Sequence, residues 1–169
     1  MSANTQAGFT LIELVITLTV LSIVLALAAA GVGDTIRNAQ LMSAAESIQN
    51  GLQLARTQAV QSNALVSWTL GDKGSWTVKY EGTNGTIVQG PSEAYGTLDV
   101  TPKSTVVVFN GLGALKKDDP SVSIDIKPST GTCLPYQGGL RCFGVRVSVM
   151  GQIKRCDPSL AASDPKSCD

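Results

Sequence analysis

The stretch Gly8–Gly31, "GFTLIELVITLTVLSIVLALAAAG", decides how the rest of the chain is read. From Phe9 to Ala30 it runs 22 residues and carries a single charge, Glu13. As an α-helix rising about 1.5 Å per residue it would extend roughly 30 Å, the thickness of a bilayer's hydrocarbon core. A carboxylate inside such a run costs roughly 2–3 kcal/mol or more unless something neutralises it. Glu13 therefore reads as a functional residue in need of a partner, and no basic side chain lies near it in sequence. A glutamate close to a helix end that snorkels to the interface stays open as the alternative on spacing alone.

The preceding residues, MSANTQAG, contain no Lys or Arg, so the charged start of a secretory signal is missing. The apolar run is also longer than the core of such a signal, although the small residues from Ala26 to Gly31 imitate a cleavage end. Neither a signal peptide nor a plain anchor accounts for a short polar leader, then Gly-Phe, then a glutamate.

Gly8-Phe9-Thr10-Leu11-Ile12-Glu13-Leu14-Val15 resembles the processing site of type IV pilins and type II secretion pseudopilins. The resemblance implies that a prepilin peptidase cuts after Gly8 and methylates the new N-terminus at Phe9. It also implies that Glu13 neutralises the N-terminal ammonium of a neighbouring subunit. A cation and an anion brought together in a low-dielectric bundle attract far more strongly than in water, and each relieves the other's desolvation cost. Two departures stand out. Gln6-Ala7 supplies no base before the Gly, which leaves the N-terminal amine alone to orient the segment. Ala30-Gly31-Val32-Gly33 stands where many relatives have a proline, and each glycine weakens a helix by about 1 kcal/mol relative to Ala.

At 169 residues the chain has room for one small domain beyond this segment. Thirteen basic and thirteen acidic residues cancel, so no net charge draws it towards nucleic acid. The absence of histidine removes Ser-His and Cys-His catalytic pairs and the commonest metal ligand. Cys133, Cys142, Cys156 and Cys168 form no C-x-x-C pair, which speaks against zinc. In an exported body four cysteines read as two disulfides. Three pairings are open; the favoured one joins Cys133 to Cys142 and Cys156 to Cys168, since each closes a short loop. Closing such a loop is worth roughly 3 kcal/mol in the chain-entropy account.

After Gly33, Ile36, Ala39, Ala45, Ile48, Leu52, Ala55 and Ala59 recur near helical spacing, and no proline interrupts residues 9–65. One long helix is expected. Residues 1–8 would be a cleaved leader, 9–31 a transmembrane or filament-core helix, 32–65 its amphipathic half, and 66–169 a periplasmic head. Period-two alternation at Val66, Trp68 and Leu70 and at Trp76, Val78 and Tyr80 predicts paired strands. Asn84-Gly85 predicts a tight hairpin to "TIVQG". Further strands are expected at Val106–Phe109, Val122–Ile126, Phe143–Met150 and Ile153–Cys156, giving an α+β protein whose long helix packs on a small antiparallel sheet. The tail "DPSLAASDPKSCD" has turn composition and is expected to be held by its last cysteine alone.

Gly111-Leu112-Gly113-Ala114 lacks the third glycine of a phosphate loop and reads as a plain turn. Three segments, Leu52–Trp68, Phe109–Ala114 and Val145–Cys156, are similar to passages of the H-type pseudopilins and of FimU- and FimT-type minor pilins. This resemblance implies a non-enzymatic subunit, without cofactor or metal, built into a type IV pilus or type II secretion pseudopilus and helping to initiate it. Its partners would be other pilins or pseudopilins, the prepilin peptidase and the inner-membrane assembly platform. The rival reading is a DNA-binding minor pilin acting in DNA uptake, with Arg146, Lys154 and Arg155 as candidate contacts. Gln152 occupies the place where DNA-binding relatives present Arg, and residues 141–169 hold five bases against three acids. Phosphate affinity scales with the number of charges neutralised, so this mild excess favours the structural reading.

Overall fold

The computed structural model describes residues 9–29, 32–82, 85–90, 98–102, 105–117, 119–134 and 139–168. It divides into two compact units, residues 1–36 and 37–169. Gly8, the leader, and Asn84 of the expected hairpin turn lie outside the described residues.

In the first unit, α1 spans Leu11–Ala29, 19 residues. Its apolar side chains are exposed from Leu11 to Leu27. The hydroxyls of Thr17, Thr19 and Ser22 donate back to the carbonyls of Leu14, Ile16 and Leu18 at 2.9, 2.8 and 2.7 Å. They consequently ask nothing of the surroundings. Among the described residues no helix is long and apolar enough to cross a membrane. The expected run over residues 9–31 ends at residues 30 and 31, outside the described part.

A second helix, α2, spans Val32–Ser62. From Arg37 onward it belongs to the second unit. Its buried stripe is Leu41, Ala44, Ala45, Ile48, Leu52, Ala55 and Ala59. The expectation for Ile36 and Ala39 is corrected, since both are exposed. Counting back from Ala59 by 3.6 residues at a time passes close to residues 41 and 37, so Ile36 and Ala39 lie on other faces.

Among the described residues eight strands make two antiparallel sheets. They are β1 Val66–Leu70, β2 Trp76–Tyr80, β3 Thr86–Gln89, β4 Leu98–Thr101, β5 Thr105–Phe109, β6 Val122–Pro128, β7 Phe143–Val147 and β8 Ile153–Cys156. The first sheet runs β3-β2-β1-β5 and the second β4-β6-β7-β8. Their buried side chains, among them Trp68, Phe109, Ile124, Ile126 and Val145, join the α2 stripe in one core. The expected α+β fold with an antiparallel head is what the structure has; the head is divided into two sheets, and β4 is a strand the sequence reading did not include. The expected strand Phe143–Met150 stops at Val147, because Ser148–Gln152 folds into a turn closed by Ser148 N–H to the Gln152 carbonyl at 2.9 Å.

Gly51 sits inside α2, where glycine is unfavourable by about 1 kcal/mol. A Cβ there would lie 2.7 Å from both Trp68 Nε1 and the Trp76 ring. Only a hydrogen lets the two indoles approach the helix so closely.

Candidate processing and assembly site

The N-terminal site is built on the first turn of α1. Thr10 accepts the first helical hydrogen bond, from Leu14 N–H to its carbonyl at 3.2 Å. Its hydroxyl oxygen accepts from Glu13 N–H at 3.3 Å. Those two bonds make Thr10 the N-cap of the helix. Phe9, just before it, is 86% exposed. Glu13 falls in the first turn, where unpaired backbone N–H groups favour a negative charge. Among the described residues no ion pair reaches the Glu13 carboxylate; the pairs there are Arg146–Asp125 and Arg155–Glu46. Glu13 is therefore the one carboxylate on an exposed apolar helix, and its neutralising cation is not supplied by the described part of its own chain.

The bases of the terminal hairpin are placed quite differently. Arg146 Nη1 lies 2.8 Å from Asp125 Oδ1 and donates to the Ile124 carbonyl at 3.2 Å. Arg155 Nη1 reaches Glu46 Oε1 on α2 at 2.9 Å. Lys154 Nζ donates to the Ser167 carbonyl at 3.2 Å. Arg146 and Lys154 are cross-strand partners of β7 and β8, while Arg155 is paired to Val145 and leans towards α2. The sequence had grouped three bases; the fold divides them between two directions and gives each an acceptor.

Cys133 is bonded to Cys142 and Cys156 to Cys168, with Cα separations of 5.5 and 4.9 Å. The second bridge is not alone in holding the tail, and that expectation is corrected. Asp157 N–H donates to the Lys166 carbonyl at 2.8 Å, and Ser167 is buried. Glycine at position 144 lets the bridge lie close to β7, since a Cβ there would approach Cys168 Sγ to 2.7 Å.

The Gly111–Ala114 segment is a turn organised by Asn110. Its side-chain oxygen accepts from Leu112 N–H at 2.9 Å and Ala114 N–H at 3.2 Å. Arg56 on α2 donates to the Gly113 carbonyl at 2.9 Å, tying the turn to the helix. With the N–H groups of Leu112, Gly113 and Ala114 all bonded to Asn110, the turn is a structural clasp. Among the described residues no group of three or more acidic, Cys or His side chains is arranged to hold a metal ion.

Several contributors escaped the sequence reading. Thr10 carried a signal, since Thr10-Leu11-Ile12-Glu13 has the S/T-x-x-E spacing of a capping box. Glu46 and Asp125 as partners of the arginines carried none, because they are 109 and 21 residues away from them in sequence. Asn38, which receives Arg141 N–H at 2.8 Å and donates to the Gly139 carbonyl at 3.0 Å, was equally invisible.

A family profile described as "Type II transport protein GspH" matches residues 44–151, more than half of the chain. A second profile, "Prokaryotic N-terminal methylation motif", matches residues 3–29. Two crystal structures of the type IV minor pilin FimU of Pseudomonas aeruginosa (strain PAO1) are similar in fold. One has a TM-score of 0.54 at 20% identity and covers 76% of this chain and 95% of its own. The other has a TM-score of 0.53 at 21% identity and covers 76% of this chain and 100% of its own. No curated protein matches the chain.

Proposed function

The chain belongs to the type II transport protein GspH family, a family of pilin-like structural subunits and not of enzymes, and from that premise we propose a specific life cycle. The prepilin peptidase cuts it between Gly8 and Phe9 and methylates Phe9. Residues 9–31 hold it in the inner membrane with the head in the periplasm. The assembly platform then inserts it among other minor and major pilins or pseudopilins, where it helps initiate a type IV pilus or type II secretion pseudopilus. The observation that supports this most directly is Glu13, which has no ion pair among the described residues and sits on a helix whose other exposed side chains are almost all apolar. An ammonium delivered by a neighbouring N-terminus satisfies it without placing a lone charge in an apolar bundle.

Mass spectrometry of membrane-extracted protein is expected to show a mature chain beginning at N-methylated Phe9. An intact N-terminus, or a cut near Ala30, refutes the proposal. Deletion of the gene then sorts the two filaments: loss of piliation with normal secretion assigns the pilus, and the reverse assigns the pseudopilus.

The DNA-uptake reading stands second because Arg146, Lys154 and Arg155 each already have an acceptor in the fold. The head lacking residues 1–34 is expected to bind duplex DNA only in the non-specific range, roughly 10⁻⁴–10⁻⁶ M at near-physiological salt. Much tighter, steeply salt-dependent binding that Lys154→Ala with Arg155→Ala removes, with piliation intact, would put DNA uptake first.

A further inference from the structure

We propose that two adjacent turns of the second unit, Asn110–Ala114 and Ser148–Gln152, carry an apolar contact surface for the head of a neighbouring pilin-like subunit. The inference rests on the reading of the chain as an assembled subunit, and it names the surface through which the head takes part. Leu112 is 89% exposed and Met150 72%, while Val149 and Val60 are each about half exposed. Tips of turns ordinarily carry Gly, Asn, Asp or Ser. Neighbouring tips that turn Leu, Val and Met towards water form the kind of patch that marks an interaction site.

The residues that carry these side chains are held together and held rigid. Leu115 N–H donates to the Val149 carbonyl at 3.0 Å, joining the first turn to the second. Gly151 packs so closely on the Gly113 carbonyl that a Cβ would collide with it. A Cβ on Gly113 would lie 3.1 Å from both Arg56 Nε and Val60 Cγ2, which brings the last turns of α2 into the same cluster. The second turn is closed by Ser148, whose carbonyl accepts from Gly151 N–H at 2.8 Å and whose hydroxyl oxygen accepts from Gln152 N–H at 3.1 Å. Asn110 closes the first in the same manner. A contact surface fixed in advance loses little freedom when a partner arrives.

Size, charge and shape together define the occupant. Leu112, Val149, Met150 and Val60 carry no charge, and Arg56, the base within the cluster, is committed to the Gly113 carbonyl at 2.9 Å. Such a surface suits an uncharged apolar recess and not a phosphate. Four side chains expose a few hundred Å² between them, whereas a stable interface takes about 800 Å² from each partner. The patch is therefore too small to hold two free molecules together. It becomes effective where the partner is already alongside, because tethering raises the effective concentration. Assembly through α1 supplies that tether. Two protruding tips do not interlock, so a two-fold pairing of identical copies through this patch is disfavoured, and the occupant is a recess on the head of a different subunit.

The test uses the full-length chain in cells that assemble the filament. Leu112→Gln with Met150→Gln should be cut at Gly8–Phe9 like the native chain and keep a protease-resistant head. It should nevertheless enter filaments roughly tenfold less, the scale of losing one interface anchor. Leu112→Met with Met150→Leu keeps the apolar volume and should stay within about twofold of native. A photo-reactive benzophenone side chain in place of Met150 should cross-link to the head of a different pilin-like subunit. Glu13→Ala should abolish that cross-link by removing the tether. Should the Gln pair prove protease-sensitive, the cross-link decides. The proposal is overturned if the Gln pair assembles normally, or if the Met/Leu exchange is as harmful as the Gln pair. It is equally overturned if cross-links go to lipid, nucleic acid or a second copy of this chain, or if they survive Glu13→Ala. In all those cases a native chain that still enters filaments leaves the assembly reading standing; a native chain absent from filaments fells both.

Discussion

Glu13 on α1 and Glu46 on α2 are two helical glutamates treated in opposite ways. Glu46 meets Arg155 at 2.9 Å, and the carboxylate and guanidinium side chains stay 47% and 33% exposed, so water shares in solvating the pair. Glu13 is flanked on its own helix by Leu11, Ile12, Leu14 and Ile16, and the described residues offer it no cation. The second unit supplies its own partners: the buried stripe of α2 is covered, the four cysteines are bonded, and Arg146, Lys154 and Arg155 each have an acceptor. In the first unit, α1 leaves its apolar side chains and its one carboxylate open among the described residues. The proposed assembly with other pilins would supply what α1 lacks among the described residues.

The contrast is broken most sharply at Glu13. In a Glu13→Ala variant insertion and cleavage should persist while assembly with other pilins falls by roughly a hundredfold or more, the scale of leaving one charge of a buried pair uncompensated. Cross-linking of intact filaments checks it; normal assembly would make Glu13 an incidental surface residue. Next in size are the staples of the head. Cys156→Ser with Cys168→Ser should lower its stability by roughly 3 kcal/mol in urea unfolding, and non-reducing peptide maps of the native head should show two bridges and no free thiol. Gly51→Ala should cost about 1–3 kcal/mol, because the new methyl group meets two indoles, even though Ala is the better helix former. The smallest effect is expected from Arg155→Ala. Its pair with Glu46 is largely solvated, so the loss should stay below about 1 kcal/mol and shrink further with added salt. A loss as large as that of the disulfide would mean that the head depends on this charge pair as the filament is proposed to depend on Glu13.

The two halves also differ in how far they could be read from residues alone. Local patterns carried the N-terminal helix, the alternating strands β1 and β2 and the buried face of α2 from Ala45 to Ala59. The start of that face was misplaced, because alanines and isoleucines recur near Ile36 and Ala39 without being in phase with it. β4 went unread: "LDVT" offers only four residues and one alternation before Pro102. The number of sheets was invisible for a deeper reason. β1 pairs with β5 across an intervening stretch that holds β2, β3 and β4, and such a crossover leaves no mark on either strand. The candidate bases were legible as types, yet their partners Asp125, Glu46 and the Ser167 carbonyl come from distant segments that only tertiary packing brings within reach.

The polar side chains of α1 bear on how it would meet a neighbour. Thr17, Thr19 and Ser22 spend their hydroxyl protons on carbonyls of the same helix. Nothing along Val15–Leu27 then distinguishes one height on the rod from another by a directional bond. Dispersion contacts between two such rods change little when one slides past the other by a single residue's rise, about 1.5 Å. A lone carboxylate near the end turns that smooth rod into a ruler with one graduation. If it meets a single cation as proposed, that meeting would select one axial offset out of many nearly equal ones, and a helix read at one mark could be stacked repeatedly with a constant step.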